Sequence, residues 1–429
     1  MVDEWIDARL SEVAADRNHA FAMGPFGSNI RAENYRDSGV PVIRGTNLGQ
    51  PGEPRFRSDE YVYLSEGKAD ELASSSAHPN DIVFVAQGTI GKVGIIPTGT
   101  GHQRFILSQN LMKVTIDPDR ADPLYVFYFF RSSLGQQEIL SRVNPTGVPC
   151  ISKPLTSLRG FNVRLPRNVA TQQAIACILG ALDDKIDLNQ RMNLTLEATA
   201  RAIFKSWFVD FDPVRAKAAG QQPPSLKPDL AALFPDAFED SELGEIPRGW
   251  GVSLLGEVCE LAYGKALKAE DRKPGSVAVM GSNGQVGWHD TALVPGPGVV
   301  VGRKGNPGVV TWTNDAFFPI DTTFYVVPKT SMPLTYLYDA LVRLDLPRLG
   351  ADSAVPGLNR NIAYMSPILV PQPEIAGVFD LYAKAICDRI GAIGRENGML
   401  AGLRDALLPK LVSGELRVPD AERIVGRAV

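Results

Sequence analysis

The sequence is poor in groups that do chemistry. Its 429 residues hold four cysteines and four histidines. Cys150, Cys177, Cys259 and Cys387 form no CxxC pair, so neither a zinc site nor a disulfide framework is expected, and a reducing cytoplasm fits best. His19, His78, His102 and His289 are too dispersed for metal binding or acid–base work. The apolar run Leu124–Phe130 is too short to cross a bilayer and reads as a buried helix or strand. The stretch Met1 to Leu10 is acidic and lacks an apolar signal core, which argues against export.

Cofactor motifs are lacking as well. Gly91-Lys92 suggests a P-loop, which needs glycine at position 86 and a hydroxyl residue after the lysine; those places hold Ala86 and Val93. Asn144-Pro145-Thr146-Gly147 has the outline of an amino-methyltransferase motif. It lacks the aromatic residue that stacks on a flipped base, and no glycine-rich cofactor strand precedes it. Nuclease-like carboxylate–lysine spacing occurs only at Glu66-Gly67-Lys68, where chance suffices. The expectation is a non-catalytic chain with no cofactor and no metal.

What is present is repetition. Apolar residues at Ile175, Leu179, Leu182, Ile186, Leu196, Ala200, Ile203 and Trp207, with Asn189 and Asn193 between, step by four and three. That heptad rhythm belongs to a helix packed along one seam. The same rhythm returns 204 positions later at Phe379, Ala383, Ile386, Ile390, Ile393, Asn397, Leu400, Arg404, Leu407 and Leu411. Thr171 is placed to cap the first helix, which runs to about Val209, before Asp212-Pro213. The second covers about Ile375 to Leu411 and ends at Val412-Ser413-Gly414. Asn193 and Asn397 are equivalent positions, so in an antiparallel pair they need not face each other. Asp183, Asp184, Lys185, Arg389, Arg395 and Glu396 read as exposed helix faces, either partner-docking surface or solvated side.

Each helix follows a globular segment. Strand-like runs Val40–Ile43, Ile82–Val85 and Leu111–Ile116 alternate with Gly/Pro/Asn turns, predicting a strand-rich first unit. Its parts recur in the second. Trp5, Leu10 and Val13 match Trp250, Leu255 and Val258; Gly39, Gly45 and Asn47 match Gly275, Gly281 and Asn283. Asp81–Phe84 through Gly88 and Gly91 echoes Gly298–Val301 through Gly305 and Gly308. Val148-Pro149, Leu155, Leu158, Phe161, Val163 and Pro166 match Val355-Pro356, Ile362, Met365, Ile368, Val370 and Pro373. The boundaries read from these patterns are 1–166 and 246–373 for the globular units, 167–212 and 374–415 for the helices, 213–245 for a linker and 416–429 for a tail. One scaffold carrying different loops implies two different targets.

This order of features resembles the specificity subunits of type I restriction-modification systems, over nearly the whole chain. The residues that carry it are Ile246-Pro247-Arg248-Gly249-Trp250, Val42-Ile43-Arg44-Gly45 with Thr46-Asn47, and the Gly88–Gly91 and Gly305–Gly308 turns. The helix text Leu182-Asp183-Asp184-Lys185-Ile186 through Asn193, Trp207-Phe208 and the ending Leu403–Leu411 add to it. The resemblance implies an α+β fold. Two target-recognition domains of mixed, strand-rich character, pseudo-two-fold related, are joined by two long helices forming an antiparallel coiled coil. It implies that each domain reads half of a split site in double-stranded DNA. The helices would set the spacing and dock two methyltransferase (modification) subunits, to which restriction (translocase-nuclease) subunits attach, with no membrane involved.

Bases are read by paired donors and acceptors, arginine on guanine and asparagine or glutamine on adenine. The loop residues of this kind are Arg44, Thr46, Asn47, Gln87, Thr89, Lys92, Ser152 and Lys153 in the first unit. In the second they are Ser282, Asn283, Gln285, Arg303, Lys304, Asn306, Asn359 and Arg360. The bland alternative is hairpin turns with ordinary polar surface. A composition of 44% hydrophobic and 21% charged residues describes an ordinary globular protein, and the net charge of −4 weighs mildly against nucleic acid. That charge favours the rival reading, a coiled-coil scaffold whose two globular domains bind proteins.

Overall fold

The computed structural model describes residues 4–58, 61–144, 147–224, 226–349 and 357–428. The expected match at Val355-Pro356 and the Pro145-Thr146 step of the methyltransferase-like motif lie outside them. The chain divides into two compact units, Met1–Gln190 with Arg395–Val429, and Arg191–Gly394. Each is a mixed helix-and-strand body, and each takes a share of both long helices.

In the first unit, strand Trp5–Arg9 pairs antiparallel with Asn162–Pro166, so the segment entering the unit lies beside the one leaving it. Two four-stranded sheets follow. One orders Phe21–Met23, Leu111–Val114, Ile82–Val85 and Val93–Ile95, all antiparallel. The other orders Val62–Leu64, Val40–Ile43, Phe105–Leu107 and Ser76–Ala77, with a parallel step between Val40–Ile43 and Phe105–Leu107. The run Leu124–Phe130 lies within helix Pro123–Arg131, capped by the Asp122 carboxylate, and is buried from Tyr125 onward. Phe84, Phe130 and Phe161 meet in the core with ring centroids 5.1–5.9 Å apart, a geometry that favours edge-to-face contact.

The second unit repeats this topology on shorter loops. Gly251–Leu254 pairs antiparallel with Pro367–Val370. One sheet orders Cys259–Tyr263, Thr323–Pro328, Gly298–Gly302 and Val310–Thr313. The other orders Gly284–His289, Val277–Gly281 and Phe317–Pro319, again with its parallel step between the last two. Residues 213–245 are not bare linker in structure. Helices Asp212–Ala218 and Pro228–Leu233 and a hairpin of Phe238–Ser241 with Gly244–Pro247 occupy them, anchored by buried Val214, Phe234 and Ile246.

The heptad spacing predicts the long helices to within about two residues, a scatter normal for helix ends. The first spans Val169–Phe208 and the second Pro373–Ser413. The cap of the first is Asn168, whose Oδ1 accepts from the Ala170 N–H at 3.0 Å, and not the expected Thr171. Gln172, fully buried, ties this start to the domain by accepting from the Asp122 N–H and donating to the Pro166 carbonyl. Gly414, at φ +81, closes the second helix in the left-handed conformation.

Within the first unit the helices run antiparallel: Asp183 meets Arg404 and Asn189 meets Asn397. Ile175, Leu179, Leu182 and Ile186 share the core with Leu400, Leu407 and Leu411. Within the second unit the seam is aromatic. Phe204, Trp207 and Phe208 surround Phe379 at centroid distances of 5.2–6.4 Å. The equivalent asparagines do not pair, as expected for antiparallel helices; Asn397 accepts instead from buried Asn189, 2.9 Å away.

Asp183, read from sequence as an exposed face, is in fact 6% exposed and forms a 2.6 Å ion pair with Arg404, also 6% exposed. The Tyr128 hydroxyl donates to Asp183 at 2.7 Å, and Arg404 donates to the Gly52 carbonyl at 3.2 Å. Beside them, burial pulls the Arg131 guanidinium down to about 10 while Asp183 pulls it up, and it donates to the carbonyls of Gln50, Glu53 and Pro54. Arg55 completes the knot through Asp184 and Asp183. The loop Gln50–Arg57 is therefore fixed to both long helices by buried charge. Lys185 and Glu396, by contrast, form a half-exposed pair at 3.4 Å.

Candidate nucleic-acid interface

Backbone hydrogen bonds bring together loops that are distant in sequence, and they do so alike in both units. In the first, the Gly88 N–H donates to the Pro149 carbonyl, the Ile151 N–H donates to the Ala86 carbonyl, and Gln87 and Cys150 form an isolated antiparallel bridge. The turn after Ile82–Val85 thus lies against the segment leading to the long helix. In the second, the Leu358 N–H donates to the Arg303 carbonyl and Lys304 bridges Gly357 in the same sense.

Position matches position through these bonds. Ala86 corresponds to Arg303, Gln87 to Lys304, Thr89 to Asn306, Ser152 to Asn359 and Lys153 to Arg360. Gly88 and Gly91, at φ +94 and +99, answer to Gly305 and Gly308, both at +81, a backbone that glycine adopts without strain. The Gln136 amide donates to the Gly91 carbonyl and holds the first turn from the helix side.

Most of the expected site residues are presented to solvent. Thr46, Gln87, Thr89, Ser152 and Lys153 are exposed in the first unit, with Arg44 and Lys92 half-buried. In the second, Asn283, Gln285, Lys304, Asn306 and Asn359 are exposed, and Ser282, Arg303 and Arg360 are half-buried. Ser282 lies against the Gly305 turn, so the 281–285 hairpin joins the same cluster. Two residues have other work. Asn47 is fully buried: its Oδ1 accepts from the Arg44 N–H and its Nδ2 donates to the Arg57 carbonyl, both at 2.7 Å. It shapes the loop and is not available to a base. Asn359 Oδ1 caps helix Arg360–Tyr364, accepting from the N–H groups of Asn361 and Ile362. That carboxamide oxygen is committed to the helix.

One residue escaped the sequence reading. Tyr263, at the end of strand Cys259–Tyr263, is 48% exposed. The Arg303 guanidinium carbon lies over its ring, 4.9 Å from the centroid, and that of Arg360 at 4.7 Å. Arg303 also donates to the Asp321 carbonyl at 3.0 Å, which fixes one edge of its fork. The aromatic residue sits about 40 positions from one partner and about 100 from the other, so only strand pairing reveals the group.

Among the described residues no helix is long and apolar enough to cross a membrane, and no group of three or more His, Cys, Asp or Glu side chains is arranged to hold a metal ion.

Residues 27–198 match the family of the type I restriction modification DNA specificity domain. Over 329 residues the chain is 28% identical to the type I restriction enzyme HindI specificity subunit of Haemophilus influenzae, covering 61% of this chain and 70% of that one. Over 396 residues it is 22% identical to the type I restriction enzyme MjaIX specificity subunit of Methanocaldococcus jannaschii, covering 84% and 85%. The solved S subunit of a type I restriction-modification system from M. genitalium covers 95% of this chain with 96% of its own, at a TM-score of 0.60 and 17% identity, a likeness of fold. Residues 27–198 thus carry the sequence pattern of a type I DNA specificity domain. The two curated relatives and the solved subunit to which the chain is similar are specificity subunits of type I restriction-modification systems.

Proposed function

We propose that this chain is the non-catalytic, sequence-specific DNA-binding subunit of a type I complex and reads a bipartite, asymmetric site. Each globular unit reads one half, and the two long helices set the spacing between halves. The helices also dock two methyltransferase subunits, through which restriction subunits join.

The observation that carries the reading is the repeated backbone with unlike side chains. The same glycine turn rests on the same pre-helix segment in both units, yet presents Gln87, Thr89 and Lys153 in one and Lys304, Asn306 and Arg360 in the other. A scaffold kept while its presented donors and acceptors change is what reading two different base sequences requires. Lysine and arginine in these loops also supply local positive charge despite the net charge of −4, and phosphate contact depends on that local placement.

The test is methylation mapping by long-read sequencing of host DNA with and without the gene for this chain. A split motif with adenine methylated in both halves, lost on deletion, is the expected result. An unchanged methylome, together with no binding of the chain and its methyltransferase partners to DNA at low salt, would instead favour a protein-binding scaffold.

A further inference from the structure

We propose that the Arg303–Tyr263–Arg360 cluster of the second unit reads a guanine, so that the half-site of this unit contains a G·C pair that the first unit cannot read in the same way. The proposal rests on the DNA-reading function above and names one base within it.

Three observations carry it. The first is charge without a counter-ion. Both guanidiniums lie within 5 Å of one ring centroid, and so within a Debye length of each other (about 10 Å at 0.1 M salt). Among the described residues neither forms an ion pair with a carboxylate, whereas Arg31, Arg104, Arg201 and Arg348 each do. Two like charges held together on an exposed aromatic surface are arranged to accept an electron-rich partner.

The second is orientation. A guanidinium stacked on an aromatic face keeps its plane fixed while leaving N–H groups at its rim. Arg303 is further anchored by the Asp321 carbonyl and lies 6.0 Å from the Phe324 ring; Arg360 also lies 5.6 Å from the Tyr364 ring. A planar fork held in one direction matches the O6 and N7 acceptors of guanine, which lie side by side in the major groove. A phosphate can take the same fork but is also bound by lysine as a point charge, so replacing arginine by lysine separates the two.

The third is difference between copies. Through the paired backbone bonds, Arg303 occupies the place of Ala86 and Arg360 that of Lys153. The strand registers Tyr263 with Phe324 and Met23 with Met112 place Tyr263 where the first unit has Met23. The first unit therefore keeps one charge at this locus and loses both forks and the stacking ring. Discrimination between two half-sites belongs at positions that differ in this way.

The experiment uses the complete complex of this chain with its methyltransferase subunits. Its probe is a duplex library in which the wild-type motif is randomised one position at a time. Arg303→Lys and Arg360→Lys keep the charge and remove the fork. Each is expected to lower discrimination at one G·C position of one half-site by about 10- to 100-fold, leaving the other half unchanged. Tyr263→Leu, which removes the shared platform, should relax the same position. The proposal is overturned if the affected position is not G·C in the wild-type motif. It is equally overturned if the lysine variants retain full discrimination, or if they weaken all sequences alike, the mark of phosphate contact. A wild-type complex with no sequence preference would instead defeat the DNA-reading function itself.

Discussion

Replacing Arg404 with alanine is expected to cost the first unit about 3–5 kcal/mol, enough to unfold it or leave it marginal. The reason is the charge left behind. Asp183 is 6% exposed and its carboxylate is matched mainly by Arg404 at 2.6 Å. Arg55, 3.8 Å away, and the Tyr128 hydroxyl compensate only in part, which places the expected loss toward the lower end of that range. Because Arg404 also donates to the Gly52 carbonyl, the loop Gln50–Arg57 should loosen at the same time. The double variant Asp183→Leu with Arg404→Leu removes both charges and is expected to recover only part of the loss, because Arg55, Arg131 and the Tyr128 hydroxyl lose the same carboxylate. Urea unfolding of the three chains provides the comparison. A loss below about 1 kcal/mol for Arg404→Ala would show that the pair behaves like a surface contact.

Shortening the two helices together should change the DNA site more than any loop substitution. Each helix rises about 1.5 Å per residue. Asn189 lies opposite Asn397, so residues 190–196 and 390–396 are opposed heptads. Deleting both preserves the seam pattern on either side while shortening it by about 10.5 Å, close to three base pairs at 3.4 Å each. The deletion variant is expected to prefer a spacer about three base pairs shorter and to methylate the parental site poorly. Both half-sites should keep their bases. A variant that still methylates the parental spacing would show that the helices do not set it.

The two long helices are legible in the sequence because a heptad rhythm sustained over ten seam positions leaves little freedom of assignment. The strands Val40–Ile43 and Ile82–Val85 are legible for a similar reason, being short apolar runs bounded by turn residues. The buried charges are not. Asp183 sits in the polar run Asp183-Asp184-Lys185, and only the antiparallel pairing reveals that one of the three faces inward. In residues 213–245 the proline and alanine content hides single apolar anchors such as Phe234, which is buried against Trp207 at a centroid distance of 5.2 Å. The site is legible by kind more than by residue. Glycines and polar loop residues mark turns that the backbone brings together, but Asn47 turns inward to hold its loop while Tyr263, an aromatic residue at a strand end, lies beneath two arginines. Contacts made across strands carry no local signal.

The central claim is that each unit reads its own half of the site. Changing Gln87, Thr89 and Lys92 of the first unit together tests it most directly, with the methylated motif of the assembled complex as readout. These side chains lie on one turn whose backbone is held by the Pro149 carbonyl and Gln136, so the fold of the loop should survive. Altered bases are expected in one half-site, with the other half and the spacer unchanged. A simultaneous change in both halves would contradict it.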